Sequence, residues 1–300
     1  MKIGLLVSGN LLPGHDNARE DVFEFHEELA SLQSGFEPLG LSIDPVLWDD
    51  AADHFVDFDA FLPLMVWDYF EGNEDRFLAT MAQINETTPV LNTPDLLRWN
   101  SDKRYLDEMA AKGATVIPTH TVEGVTKDDA ISAFEVFGTD RIVIKPQVGG
   151  GAWRQVLHAK GDPWPGADEL PLEGALIQPF LPSVQSEGEY SFLYFGGTFS
   201  HALVKTAKAG DYRIQSIYGG AEETYHPSQA EIEAANEILA TLDTVPLYAR
   251  VDLLRGLDGE LALIELEMIE PYLYLPHAEV IDGVNQGAVR LGQALIARLR

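Results

Sequence analysis

Apolar and polar positions alternate most regularly between Tyr248 and Leu275, in YARVDLLRGLDGELALIELEMIEPYLYL. The pattern predicts a β-hairpin, because Asp258-Gly259 suits the two positive-φ positions of a tight type I′ turn. With these two residues as the loop, Leu257 faces Glu260, and the register sets Asp252 opposite Glu265 and Arg250 opposite Glu267. Side chains alternate across a strand, so Arg250, Asp252, Glu265 and Glu267 share one face. Val251, Leu253, Ile264, Leu266 and Met268 share the other, which is apolar and suited to a core. Like charges opposed on a sheet destabilise it. A hard cation such as Mg²⁺, which takes oxygen ligands, would compensate; a solvated acidic face is the alternative.

Upstream, the pattern changes character. Residues 3–8 form an apolar run read as a buried strand. The following loop, 9–16, lacks the spacing of a P-loop or a dinucleotide fingerprint. Asn17 and Glu20 resemble a capping box and Gly35 a helix stop. Residues 43–48 and 58–66 read as strands, Asn73 opens a helix to about residue 86, and 90–91 is a short strand. Strand and helix alternate, so residues 1–92 are predicted to form an α/β unit with a parallel sheet. Ligands bind at the carboxyl ends of such strands. Asn10, Asp16, Trp67, Asp68 and Tyr69 are therefore candidate substrate contacts, with ordinary loops as the alternative.

Thr93-Pro94 starts a helix, and Ser101 is read as the cap of the next, which ends before Gly113. Lys103 would then lie in a first turn, where a cation opposes the helix dipole unless an anion is near. Residues 141–146, RIVIKP, are a strand with Lys145 near its end, followed at once by Gly149, Gly150 and Gly151. Consecutive glycines let backbone N–H groups wrap an anion, so the pair reads as a phosphate grip or as a flexible turn. A surface loop over 159–173 precedes strands at 175–181, 187–195 and 198–205, a polar loop at 206–211 and a run ending in Tyr218-Gly219-Gly220. Ser228 and Glu231 form a capping box for a helix to about residue 241, and a last helix is predicted over 278–298. The second part of the chain is thus mostly antiparallel sheet with flanking helices.

Composition narrows the chemistry. Three hundred residues with 46% hydrophobic content suffice for a substantial core. With no cysteine, disulfides, thiolate catalysis and Cys-ligated zinc are excluded. The net charge of −28 should repel nucleic acid and anionic membranes, and it fits a heavily solvated surface of the kind a saline habitat selects. No apolar run reaches membrane-span length and the start reads as a strand, so a cytoplasmic location is the expectation.

The motifs WNSDKRYL (99–106), IKPQVGGGAW (144–153), QPF (178–180), EGEYS (187–191), SHALVK (200–205), the DYRIQ…YGG run and ELEMIEP (265–271), in this order, resemble the ATP-grasp superfamily in its glutathione-synthetase-like branch. Within it they look most like the group that forms D-cycloserine. The resemblance implies an α/β (α+β) fold in three parts: a Rossmann-like subdomain at 1–92, a lid subdomain at 93–178 and a C-terminal subdomain at 179–300. It implies that Lys103 and Lys145 grip nucleotide phosphates under a loop of Gly149, Gly150 and Gly151. Gln178, Phe180 and Leu181 would hold adenine, and Glu187 the ribose, with Glu189 as its alternative. Lys205, Arg213 and Arg250 would be catalytic cations, Asp252, Glu265 and Glu267 the Mg²⁺ ligands, and Tyr218, Gly219 and Gly220 would approach substrate. Glu267 stands where the superfamily usually has Asn, so the ligand set is more anionic here.

The implied activity is that of an ATP-dependent carboxylate–amine ligase working through an acyl phosphate on a small amino-acid-like substrate and releasing ADP and phosphate. ATP and Mg²⁺ (two ions, or Mn²⁺) are the implied cofactors. Intramolecular cyclisation and a nucleotide-binding protein without catalysis are the alternatives. A homodimer is compatible with the sequence, in which no interface is legible.

Overall fold

The computed structural model describes residues 1–15, 17–50, 55, 57–208, 214 and 219–300. The expected substrate residues Asp16 and Tyr218 and the expected catalytic Arg213 lie outside the described residues. The N-terminal part runs β1 (Lys2–Val7), α1 (Val22–Phe36), β2 (Ser42–Leu47), β3 (Ala60–Met65) and α2 (Glu74–Asn85). Its sheet has the order β2-β1-β3 with all pairs parallel, and Val90 adds a parallel bridge to Phe61. Asn73 stands at the N-cap position of α2, as the pattern predicts, but α1 starts later than expected, after Asp21. Gly35 does not stop α1. It lies inside the helix because a Cβ there would come within 2.4 Å of Ala288, so it is needed for close helix approach.

Next come α3 (Pro94–Ser101), α4 (Tyr105–Ala111), β4 (His120–Val122), α5 (Lys127–Phe137), β5 (Arg141–Pro146), β6 (Val156–Ala159) and β7 (Ala175–Pro179). The four strands form an antiparallel sheet, β4-β7-β5-β6, backed by α5. Ser101 ends α3 rather than capping α4, whose N-cap is Arg104. Lys103 therefore sits in the connector between α3 and α4, not in the first turn of a helix. β4 and α5 are additions to the elements predicted from the sequence.

The last part comprises α6 (Ser183–Ser186), β8 (Glu189–Phe195), β9 (Thr198–Thr206), β10 (Ala221–Tyr225), α7 (Gln229–Leu239), β11 (Tyr248–Arg255), β12 (Leu261–Glu267), β13 (Val280–Ile281), β14 (Val284–Asn285) and α8 (Gln286–Leu299). Five strands build an antiparallel sheet, β10-β9-β8-β11-β12. The final helix is shorter than predicted because residues 278–285 are used otherwise. Asp282 (φ 51°) and Gly283 (φ 81°) close a two-residue hairpin between β13 and β14. Asn285 then caps α8, accepting from Ala288 N–H at 2.9 Å.

The β11–β12 hairpin departs instructively from its expected geometry. Its closing pair is Gly256 and Glu260 (N–H to O, 2.8 Å), so the loop has three residues, with Gly259 at φ 88°. That slips the register by one. A bulge then slips it back: Leu253 pairs with Leu263 but Asp252 with Glu265, leaving Ile264 unpaired. Asp252 opposite Glu265 and Arg250 opposite Glu267 thus stand as predicted. Ile264 does not join the core face. It packs with Leu254 and Ala262, whereas Leu263, Leu266 and Met268 are core.

Side chains seal the outer edge of β12. Asn100 donates to Leu266 O (2.7 Å) and accepts from Met268 N–H (2.8 Å), and Tyr105 Oη accepts from Leu266 N–H (2.9 Å). Asn92 does the same between the strands: it donates to Tyr248 O and Met268 O, both at 2.9 Å, and accepts from Leu247 N–H at 2.6 Å. Buried amides placed in this way satisfy backbone groups that would otherwise be orphaned at an edge.

Candidate active site

A cleft opens between the β4–β7 sheet and the five-stranded sheet. Its apolar wall is built by Ile117, Val143, Phe180, Leu181, Val184, Ile214, Leu254 and Ile264. The bulge that turns Ile264 toward this wall also frees its carbonyl, which accepts from Lys145 Nζ at 3.2 Å. Gln178 lines the cleft with its amide tied to Thr119 Oγ1 (2.9 Å). A flat apolar slot with backbone groups at its margin suits a heteroaromatic base.

Two buried lysines meet beside it. Lys103 N–H bonds Gln147 O (3.0 Å), which brings its ammonium to the glycine loop, where it donates to Gly149 O and pairs with Glu265 Oε1 at 3.2 Å. Lys145 follows on β5. Burial lowers its pKa, with Glu265 opposing and Lys103 adding to the shift. Both line the cleft together with Gly149, Gly150 and Gly151. Gly149 (φ 150°) and Gly151 (φ 60°) adopt backbone that favours glycine, and Ala152 and Arg154 also have positive φ. Paired ammonium groups under strained, donor-rich backbone make an anion cradle.

A second charged group occupies the face of β8, β9 and β11. Lys205 pairs with Glu189 (2.6 Å) and more distantly with Asp252 (3.6 Å). Burial works against its charge, but Asp252 and Glu189 outweigh it and keep Lys205 firmly protonated. Arg250 donates from Nε to both Asp252 oxygens (3.1 and 3.0 Å), from Nη1 to Tyr272 O (3.2 Å) and from Nη2 to Glu267. Asp252 also accepts from Ser191 Oγ. Burial would raise its pKa, but Arg250 and Lys205 hold it below the ordinary range. Tyr274, with a left-handed backbone (φ 49°), sets its ring 5.7 Å from Lys205 Nζ and 5.5 Å from Arg250 Cζ.

The three expected metal ligands are not equivalent. Glu265 and Glu267 face the cleft, with side chains 29% and 27% exposed, whereas Asp252 is 3% exposed and saturated by its partners. Among the described residues no group of three or more carboxylates or imidazoles already converges on a metal position. Glu267 is pushed up to about 7, chiefly by burial and against the pull of Arg250, with Asp252 and Glu265 adding repulsion. Burial would raise the Glu265 pKa too, but Lys103 and Lys145 hold it below the ordinary range, so only Glu267 is undercompensated. The two carboxylates form an all-oxygen set, which fits Mg²⁺ held by one or two carboxylates plus phosphate oxygens.

Other expected residues lie elsewhere. Glu187 is off the cleft, bound by Arg255 Nε at 2.7 Å and Tyr190 Oη at 3.1 Å, while Glu189 lines it. Trp67 donates to Glu270 O (3.1 Å), Asp68 accepts from Trp48 Nε1 (2.8 Å) and Tyr69 is buried against Phe77. Asn10 accepts from Ser8 Oγ (2.9 Å), and Gly219 and Gly220 precede β10. None of these lines the cleft. Tyr274 and Trp153 line the cleft without having been singled out by pattern. Glu270, just past the paired glutamates in ELEMIEP, does not line it; burial and Glu267 push its carboxyl up to about 8.

A parallel-sheet unit followed by two antiparallel sheets that close on a cleft with a glycine loop, two lysines and paired glutamates is the fold seen in solved structures of ATP-grasp ligases. Residues 5–92 match the family described as D-cycloserine synthetase DcsG, N-terminal domain. The chain is 29% identical over 290 residues to the cycloserine biosynthesis protein DcsG of Streptomyces lavendulae, covering 91% of this chain and 94% of that protein. It is similar to the crystal structure of D-cycloserine synthetase DcsG over the whole of both chains, with a TM-score of 0.82 and 24% identity. It also resembles the ATP complex of D-alanine–D-alanine ligase from Bacillus anthracis (TM-score 0.64, 15% identity, 100% and 97% covered).

Proposed function

We propose that this ligase activates the carboxylate of a small amino-acid-like substrate as an acyl phosphate and passes it to an amine, releasing ADP and phosphate. The observation that carries the reading is the convergence of Lys103, Lys145, Glu265 and the glycine loop with Lys205 and Arg250 in one cleft beside an apolar slot. Adenine would occupy the slot, Lys103 and Lys145 would bind phosphate oxygens, and Glu189 rather than Glu187 would meet the ribose. Glu265 and Glu267 would hold Mg²⁺, which when bound neutralises phosphate charge. Phosphoryl transfer needs positioning and charge neutralisation more than a covalent protein group. Arg250, kept cationic and fixed by Asp252, is placed to stabilise the oxyanion when the amine attacks. The three-part division at 1–92, 93–178 and 179–300 suits this arrangement, as does a cytoplasmic supply of ATP.

Intramolecular closure is the second reading, favoured by the name of the relative from Streptomyces lavendulae. Mg²⁺-ATP turnover against a panel of amino acids and amines separates the two. ADP release stimulated by an acid–amine pair is expected for joining, and stimulation by one compound alone for ring closure. AMP and pyrophosphate would contradict the acyl phosphate, and ATP binding without turnover across the panel would favour a binding protein.

A further inference from the structure

Trp67, Asp68 and Tyr69 stand out in the sequence yet do not line the cleft; the residue after them explains what they support. The chain from Val66 to Asn73 forms a tight, braced turn at the carboxyl end of β3. Tyr69 N–H bonds Val66 O, Glu71 N–H bonds Asp68 O and Asn73 Nδ2 bonds Asp68 O, each at 3.1 Å. Trp48 holds the Asp68 carboxylate, and Glu270 O holds the Trp67 indole. Phe70 projects from this turn, its ring edge-on to Tyr69 (centroids 5.4 Å apart, 84°).

The tip of the glycine loop rests on that ring. A Cβ built on Gly150 would lie 3.1 Å from Phe70 Cε1 and 3.3 Å from Cζ. The three glycines thus have different causes. Gly149 and Gly151 need their backbone conformation, whereas Gly150 has no positive φ and needs only the space that Phe70 takes. Eighty positions apart in sequence, the two residues bring the N-terminal unit and the proposed phosphate cradle so close that a side chain at 150 would press on the ring.

The geometry points to Phe70 as a positioning residue for the nucleotide: its ring is the seat that fixes Gly150, and so the loop's grip on the phosphates is set by the Val66-to-Asn73 turn. This rests on the reading of the loop as a phosphate cradle. Because the turn sits where ligands of parallel sheets bind, it also links whatever occupies the N-terminal unit to the nucleotide.

A double-mutant cycle tests it. Binding of the β,γ-imido analogue of ATP with Mg²⁺ is measured by calorimetry for the intact chain, Gly150→Ala, Phe70→Ala and the double variant, with melting temperatures alongside. Gly150→Ala is expected to weaken binding about tenfold in the native background and less than about twofold beside Phe70→Ala, a coupling of the size that touching residues show. Phe70→Ala alone should weaken binding about fivefold, as loss of a loop-fixing contact does. A Gly150→Ala penalty that is equal in both backgrounds would overturn the seat. If the intact chain fails to bind the analogue at all, the nucleotide reading falls and the seat with it.

Discussion

Two buried carboxylates show how partners decide charge. Asp252 has two cations and a hydroxyl and stays ionised. Glu28, on α1, is fully buried, and no side-chain donor satisfies its carboxyl oxygens. Burial first, opposed by the Leu273 backbone and by Arg250 and reinforced by Glu24, lifts its pKa well above the ordinary 4.5. The folded state then holds a proton that the unfolded chain releases, so stability falls as pH rises above the ordinary carboxylate range. Glu28→Gln cannot ionise. It is expected to raise the melting temperature relative to the native chain, and by more at pH 8 than at pH 5. An equal shift at both values would mean that the Glu28 carboxyl ionises in the fold as readily as in the unfolded chain. The same scale explains why Glu187 and Glu189 could not be separated by pattern: alternation sets both on one face of the predicted strand, but α6 ends at Ser186, β8 begins only at Glu189, and Arg255, 68 positions from Glu187, takes Glu187 as its partner.

At the scale of elements, the hairpin carries the site and Asn92 carries the hairpin. Its amide joins the start of β11 to the exit of β12 through three buried hydrogen bonds. Asn92→Ala would leave two carbonyls and one N–H unpaired, at a cost of about 3 kcal/mol. Denaturant unfolding should show a lowered midpoint with the slope unchanged. A midpoint within ~0.5 kcal/mol of the native value would show that water or relaxation replaces the amide. The hairpin's register was legible at its acidic end only because two departures cancel, the three-residue loop and the Ile264 bulge. Parity of the alternation survives such a pair; the turn type and the face of Ile264 do not. The parallel unit, α2, α7 and the β7–β9 strands were legible because caps and apolar runs are local signals. Gly35 inside α1 and Gly150 under Phe70 were not, since their causes lie in α8 and in the turn after β3.

The whole molecule gathers four cations, faced by the carboxylates of Glu189, Asp252, Glu265 and Glu267, in one cleft of a negative body. A net charge of −28 repels anions at a distance, while Lys103, Lys145, Lys205 and Arg250, among few basic residues, are buried together in one cleft. Buried charges interact more strongly than solvated ones, so the local field can prevail over the global one at contact. Three structural layers supply that cleft: the β4–β7 sheet its roof, the five-stranded sheet its floor, and the N-terminal unit, tied to the C-terminal α8 through Gly35 and Ala288, the seat of the glycine loop. On the proposed mechanism, this enclosure turns a carboxylate into an acyl phosphate. Once a stimulating acid is found, it should be labelled with ¹⁸O in its carboxylate and the released phosphate analysed by mass spectrometry. Transfer of one ¹⁸O atom into inorganic phosphate per turnover is expected. Phosphate without label, or label appearing in AMP, would contradict the account.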